Sequence, residues 1–154
     1  LYLHICFGLE KSGGTIYNKV IKLQTGGIIM FKVIQTDKAP AAIGPYSQAL
    51  IHGNLLYASG QIPINPASGQ IVEGDITVQT TQVMKNIAAI LEAAGTGFEN
   101  VIKTTCFLKN MDDFADFNIV YAQYFTGKPA RSCVAAQKLP KDVLCEVEII
   151  AIVE

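Results

Sequence analysis

Residues 75–95 read DITVQTTQVMKNIAAILEAAG and residues 101–109 read VIKTTCFLK, and together these two stretches decide the fold. In the first, Ile76, Val83, Ile87, Ile90, Leu91 and Ala94 recur at helical spacing. Asp75 offers an N-cap oxygen and Gly95 a stop, so the pattern predicts a capped helix. The second stretch alternates and is rich in β-branched residues, hence a strand. Downstream, Asp112 is placed to cap a second helix carrying Phe114, Phe117, Tyr121 and Tyr124 on one stripe. Arg131–Gln137 and Leu144–Val153 read as two final strands joined by Leu139-Pro140-Lys141-Asp142. Upstream, Phe31–Thr36 alternates as a strand, and Pro40–Pro45 is a turn-rich loop. Tyr46–Ile51 and Leu55–Ser59 flank His52-Gly53-Asn54 as a hairpin, before an irregular connection set by Pro63, Pro66 and Gly69. Strands, helix, strand, helix and strands in that order predict an α+β fold with two helices on one face of the sheet.

The chain has 154 residues, room for one domain and a short appendage. Half the residues are apolar and 16% are charged, which excludes a disordered chain. Twelve basic against thirteen acidic residues give a net charge of −1, so no global field draws the chain to nucleic acid. No apolar run reaches the roughly 18–20 residues of a membrane span. Residues 1–9 lack the basic flank and cleavage pattern of a signal peptide. The four cysteines form no C-x-x-C pair and read as reduced thiols in a cytoplasmic protein. With His4 and His52 as the only histidines, an imidazole-built metal site is not expected.

Composition changes near Met30. Residues 30–154 hold nine basic and twelve acidic residues, a net charge of −3, so the leading segment is slightly basic. Gly26-Gly27-Ile28-Ile29-Met30 has the coding possibilities of a ribosome-binding sequence followed by a start codon. Residues 1–29 are therefore expected to be a non-native or disordered extension, with the domain spanning 30–154.

On the penultimate strand Arg131, Cys133 and Ala135 share a face. Arg131 is the single arginine among eleven lysines, which fits planar, two-pronged capture of a carboxylate or phosphate. A salt bridge closing the sheet edge explains it equally well. Glu146 and Glu148 lie on one face of the last strand, in apolar company, and should be buried or paired. Either a glutamate pairs with Arg131, or a carboxylate of adjusted pKa exchanges protons with water. Cys133 has no histidine nearby in sequence to activate it, so a non-nucleophilic role is favoured. Ser59-Gly60-Gln61 reads as a tight turn, with backbone N–H groups that an anion can use. Asn118 interrupts the second helix, where an amide is mildly unfavourable unless used. Tyr46 is either an apolar lid with a hydroxyl handle or a core residue at a strand entry.

Several strings in order resemble the RidA/YjgF family of reactive intermediate deaminases. They are Ala41-Ala-Ile-Gly-Pro-Tyr-Ser-Gln48, Ala58-Ser-Gly-Gln-Ile-Pro-Ile-Asn-Pro66, Lys103-Thr-Thr-Cys-Phe107 and Pro129-Ala-Arg-Ser-Cys-Val134. Leu139-Pro-Lys-Asp142 and Glu146-Val-Glu148 complete the set, which runs from about Met30 to Glu154. Gln137 departs from the small or basic residue more usual there, outside the inferred chemistry. The resemblance implies a chorismate-mutase-like α+β domain, a mixed sheet under two helices, and a homotrimer with clefts between subunits. It also implies hydrolysis of 2-imino or enamine acids, such as 2-iminopropanoate and 2-iminobutanoate, to 2-oxo acids and ammonia without metal or organic cofactor. Carried over by position, Arg131 grips the carboxylate and Glu146 orients or activates water. Gly60 and Cys133 offer backbone hydrogen bonds, Tyr46, Ser59 and Asn118 line the cleft, and Glu148 is expected to be structural. A non-enzymatic holder of small carboxylates is the competing reading. RNA cleavage is a weaker third, given the acidic domain and the absence of a histidine pair.

Overall fold

The computed structural model describes the backbone of Gly8–Leu9, Ile16–Lys22 and residues 28–154, with side chains from Phe31 onward. Most of the stretch read as an extension, including His4 and Cys6, lies outside the described residues.

Among the described residues eight strands form one mixed sheet: β1 (Gly8–Leu9), β2 (Ile16–Lys22), β3 (Ile28–Ile34), β4 (Ala49–His52), β5 (Leu55–Gln61), β6 (Val101–Leu108), β7 (Ala130–Ala135) and β8 (Cys145–Ile152). Their spatial order is β1-β2-β3-β4-β5-β8-β6-β7. Every neighbouring pair is antiparallel except β6 with β7. A parallel pair needs a long crossover. Here it is helix α2 (Phe114–Tyr124), while α1 (Ile76–Ala94) connects β5 to β6 across β8.

Helix α1 forms where its caps predict. The Asp75 carboxylate accepts from the N–H groups of Thr77 and Val78, and Gly95 closes the end in the left-handed region at φ 79°. Its Val83, Met84, Ile87 and Ile90 pack on Leu56, Val147, Ile149 and Ala151 of the sheet in one core. The β4–β5 hairpin turns through Gly53 at φ 61°, a conformation glycine adopts without steric cost. Strand β4 starts at Ala49, three residues later than the alternation suggests, so Tyr46 to Gln48 belong to the preceding loop.

The expected cap of α2 differs. Asp112 lies inside a single 3-10 turn, Met111–Asp113, which runs directly into the helix. Asn110 caps that turn instead, its side-chain oxygen accepting from Asp112 N–H at 3.1 Å. Of the aromatic stripe, Phe117 and Tyr121 are buried, while Phe114 and Tyr124 are half-buried at the margin.

Both helices cover one face of the sheet. Thr104, Cys106 and Leu108 of β6 point under them and are fully buried. The opposite face, without helices, presents Leu50, Tyr57, Ile150, Ile152 and Val134 to the surroundings. That open apolar face frames a 490 Å³ concavity between Phe31, Tyr46, Tyr57 and Glu148.

Candidate active site

The residues singled out from sequence fall into two groups. The first gathers where β5 meets β8. Ala58 pairs with Ile149 and Gln61 with Val147, so Ser59-Gly60 carries one residue more than the strand opposite. This is a bulge within β5 rather than the tight turn expected. Bulges redirect side chains and backbone at sheet margins. Here the bulge brings Gly60 beneath the side chain of Glu146. A Cβ at position 60 would lie 2.8 Å from Glu146 Cδ, closer than real contacts allow. The carboxyl can keep this position only over a glycine; a methyl group there would push the side chain aside.

Glu146 is half-buried, and its carboxyl is pushed above the ordinary range by burial and, secondarily, by the charge of Glu148. Neither glutamate is within ion-pair distance of Arg131, so the Arg–Glu pairing that the sequence left as one alternative is absent within one chain. Among the described residues Arg131 does not close the sheet edge with a salt bridge either. The two faces explain this. Arg131 stands opposite Thr104, whose side chain is buried under the helices, whereas Glu146 stands opposite Phe107, one residue out of phase on β6. Arg131 thus rises from the helix face at the sheet's β7 edge, and Glu146 from the open face.

Tyr46 borders Glu146's neighbourhood because the loop ahead of it is pinned. Buried Gln48 accepts from Thr36 N–H at 2.7 Å and donates to the carbonyls of Thr36, Ala39 and Pro40. The half-exposed Tyr46 and the glycine of the bulge then line one small hollow. Ser59 donates its hydroxyl to Ser47 O at 2.7 Å, tying the bulge to the same loop. Gln48 is a positioning residue that sequence reading passed over. Its only signal was an amide directly after a loop rich in proline and glycine.

The second group gathers on β7 and α2. Asn118 Oδ1 accepts from Arg131 Nη1 at 2.7 Å, which accounts for an amide inside the helix. β7 is an edge strand. Ala136 N–H donates to Leu108 O at 2.9 Å, so by the alternation of a parallel ladder the even-numbered residues face β6. The backbone N–H and C=O of Arg131 and Cys133 then point outward along the free edge. Burial pushes the Cys133 thiol up, with Arg131 and Cys106 pulling it back only in part. A protonated thiol is a poor nucleophile. What Cys133 leaves open on the free edge is its backbone N–H and C=O.

The structure brings together Tyr46, Ser59, Gly60 and Glu146 on one side, and Asn118, Arg131 and Cys133 on the other; within one chain it does not join the two sides. Among the described residues no cluster of histidine, cysteine or acidic groups is arranged to hold a metal, and no helix is long and apolar enough to cross a membrane.

Residues 36–153 match the family model described as endoribonuclease L-PSP. The chain belongs to this family. The L-PSP family is the RidA/YjgF group that the motifs resemble, and the similarity extends across whole proteins. The chain is 58% identical over 123 residues to a RutC family protein of Pyrococcus horikoshii, covering 79% of this chain and 98% of that one. It is 48% identical over 127 residues to the 2-iminobutanoate/2-iminopropanoate deaminase of Escherichia coli, covering 80% and 98%. Among solved L-PSP structures, Escherichia coli TdcF with bound serine superposes with a TM-score of 0.75 at 42% identity, covering 79% of this chain and 98% of that one.

Proposed function

We propose that this L-PSP protein hydrolyses short 2-imino acids to 2-oxo acids and ammonia in clefts formed between copies of the chain in a homotrimer. The observation that carries this reading is the separation of Arg131 and Glu146. Each is a charge without an ionic partner among the described residues, and they stand on opposite faces of one sheet. A second copy docked on the open apolar face supplies Arg131 and the β7 edge to the Glu146 side of the first. The 48% identity to a named imine deaminase supports the substrate class.

The chemistry asks little of the protein. An imine carbon is already electrophilic, so the cleft must hold the carboxylate, position a water and move protons. Arg131 grips the substrate carboxylate, with the outward N–H of Cys133 beside it. Glu146 takes a proton from water as the oxygen adds to the imine carbon and passes it to the imine nitrogen, giving a neutral carbinolamine. Glu146 then takes the carbinolamine's hydroxyl proton as the C=O forms and the C–N bond breaks, and delivers it to the departing nitrogen, so ammonia leaves. One water is consumed and the carboxylate is regenerated. Gly60 permits the carboxylate's position, and Tyr46 and Ser59 line the cleft. A carboxyl held above the ordinary range by burial accepts a proton more readily than a free glutamate. A simple carboxylate holder has no use for that adjustment, which favours the enzyme over the binding module.

The test generates 2-iminobutanoate or 2-iminopropanoate in situ from the amino acid with an oxidase and follows 2-oxo acid release. Acceleration by catalytic amounts of the protein is expected. Stoichiometric binding of 2-oxobutanoate without acceleration would mean a carboxylate holder instead.

A further inference from the structure

Arg131 is a half-buried cation with no acidic partner among the described residues. Such a charge is costly unless something compensates it. Two aromatic faces do so. The guanidinium carbon lies 4.7 Å from the ring centre of Tyr121 and 5.4 Å from that of Phe114. Tyr121 is itself fixed: its hydroxyl and the buried Thr104 hydroxyl are 2.8 Å apart, and its ring packs against Phe117 and Phe125.

A ring face stabilises a guanidinium through its negative π cloud and uses none of the N–H donors. An aspartate in the same place would consume two donors and compete with any carboxylate ligand. Among the described residues Asn118 is the only hydrogen-bond acceptor on the guanidinium side chain, at Nη1. No other described residue takes the remaining donors.

We propose that Phe114 and Tyr121, with Thr104 behind Tyr121, are positioning residues that fix the plane of the Arg131 guanidinium and keep its free N–H edge open for the substrate carboxylate. Asn118 sets the rotation within that plane, and the rings set the tilt. The proposal rests on the reading of Arg131 as the carboxylate anchor. It assigns catalytic geometry to two rings whose spacing alone reads as ordinary core.

Because Arg131 is the only arginine in the chain, its Nε–Hε nuclear magnetic resonance signal is unique in a uniformly 15N-labelled sample of the intact assembly. Ring currents displace that signal from the position of a free arginine side chain. In Phe114→Leu it is expected to move back toward that position, with thermal stability and assembly near wild type. The dissociation constant for 2-oxobutanoate and the KM for the imine should rise about 3–30-fold, with kcat changed far less. Tyr121→Phe preserves the ring and the core while releasing it from Thr104, and should produce a smaller displacement in the same sense. Phe114→Tyr should restore both readouts. If Phe114→Leu and Tyr121→Phe leave the signal and the affinity unmoved while Arg131→Lys abolishes 2-oxobutanoate binding, the clamp is refuted and the anchor stands. If Arg131→Lys binds 2-oxobutanoate as wild type does, the anchor itself is refuted.

Discussion

Gly60 lies so close beneath Glu146 that a single methyl group at position 60 would collide with the carboxyl and the carbon before it. The clash is with the far end of a flexible, half-exposed side chain, not with backbone. Gly60→Ala should therefore displace the carboxylate and leave the sheet intact. We expect a melting temperature within a few degrees of wild type and a fall in turnover approaching that of Glu146→Gln. Circular dichroism melting and the coupled imine assay on the same preparation check both halves.

Glu146→Gln keeps size and hydrogen bonding but cannot accept the water's proton. Turnover should fall by roughly 10²–10⁴-fold with 2-oxobutanoate binding retained. Stability should move the other way. A carboxyl whose folded pKa is raised contributes stability that is full below its ordinary value of 4.5 and lost as pH rises through the higher folded value. At neutral pH the wild type bears that loss and the glutamine variant does not. The variant should melt higher at pH 7, and the difference should vanish on acidification below the ordinary glutamate range.

Burial is the larger cause of the raised Glu146 pKa, and the charge of Glu148 the smaller. Glu148→Gln removes the smaller cause alone. The acidic limb of the kcat profile should then shift to lower pH, because Glu146 ionises more readily, with activity at neutral pH largely kept. A profile superposing on wild type would make Glu148 purely structural. Loss of turnover in a stable assembly would instead make Glu148 the proton-transfer group.

Residues 1–29 lie ahead of the matched family region, residues 36–153. Among the described residues the backbone of β2 pairs with β1 and the edge of β3. We expect a chain starting at Met30 to fold, assemble and turn over imine as the longer chain does. Intact mass, sedimentation and the same assay compare the two.

What was legible in the sequence was what depends on near neighbours. The α1 caps lie on either side of its apolar stripe, and the hairpin turn is carried by Gly53, so local chemistry fixed both. The α2 start was misread because Asn110, two residues earlier, holds the turn into which Asp112 is built. The Ser59-Gly60 bulge was invisible because it exists only relative to β8, almost ninety residues downstream. The same limit hid the faces of Arg131 and Glu146. Alternation relates residues along one strand, but their relation across strands passes through β6 and depends on register. The rings around Arg131 shared a helical stripe with core aromatics and carried no signal of a second duty.

The claim that the cleft is shared between subunits can be measured by complementation. Arg131→Lys and Glu146→Gln, each inactive alone, are co-expressed with distinct tags, and the mixed assemblies are isolated and verified by mass. A mixed trimer has one interface where an intact Arg131 faces an intact Glu146. Each isolated mixed trimer, with one intact site of three, should therefore recover about a third of wild-type turnover. Verified mixed trimers no more active than their parents would contradict a site built from two chains.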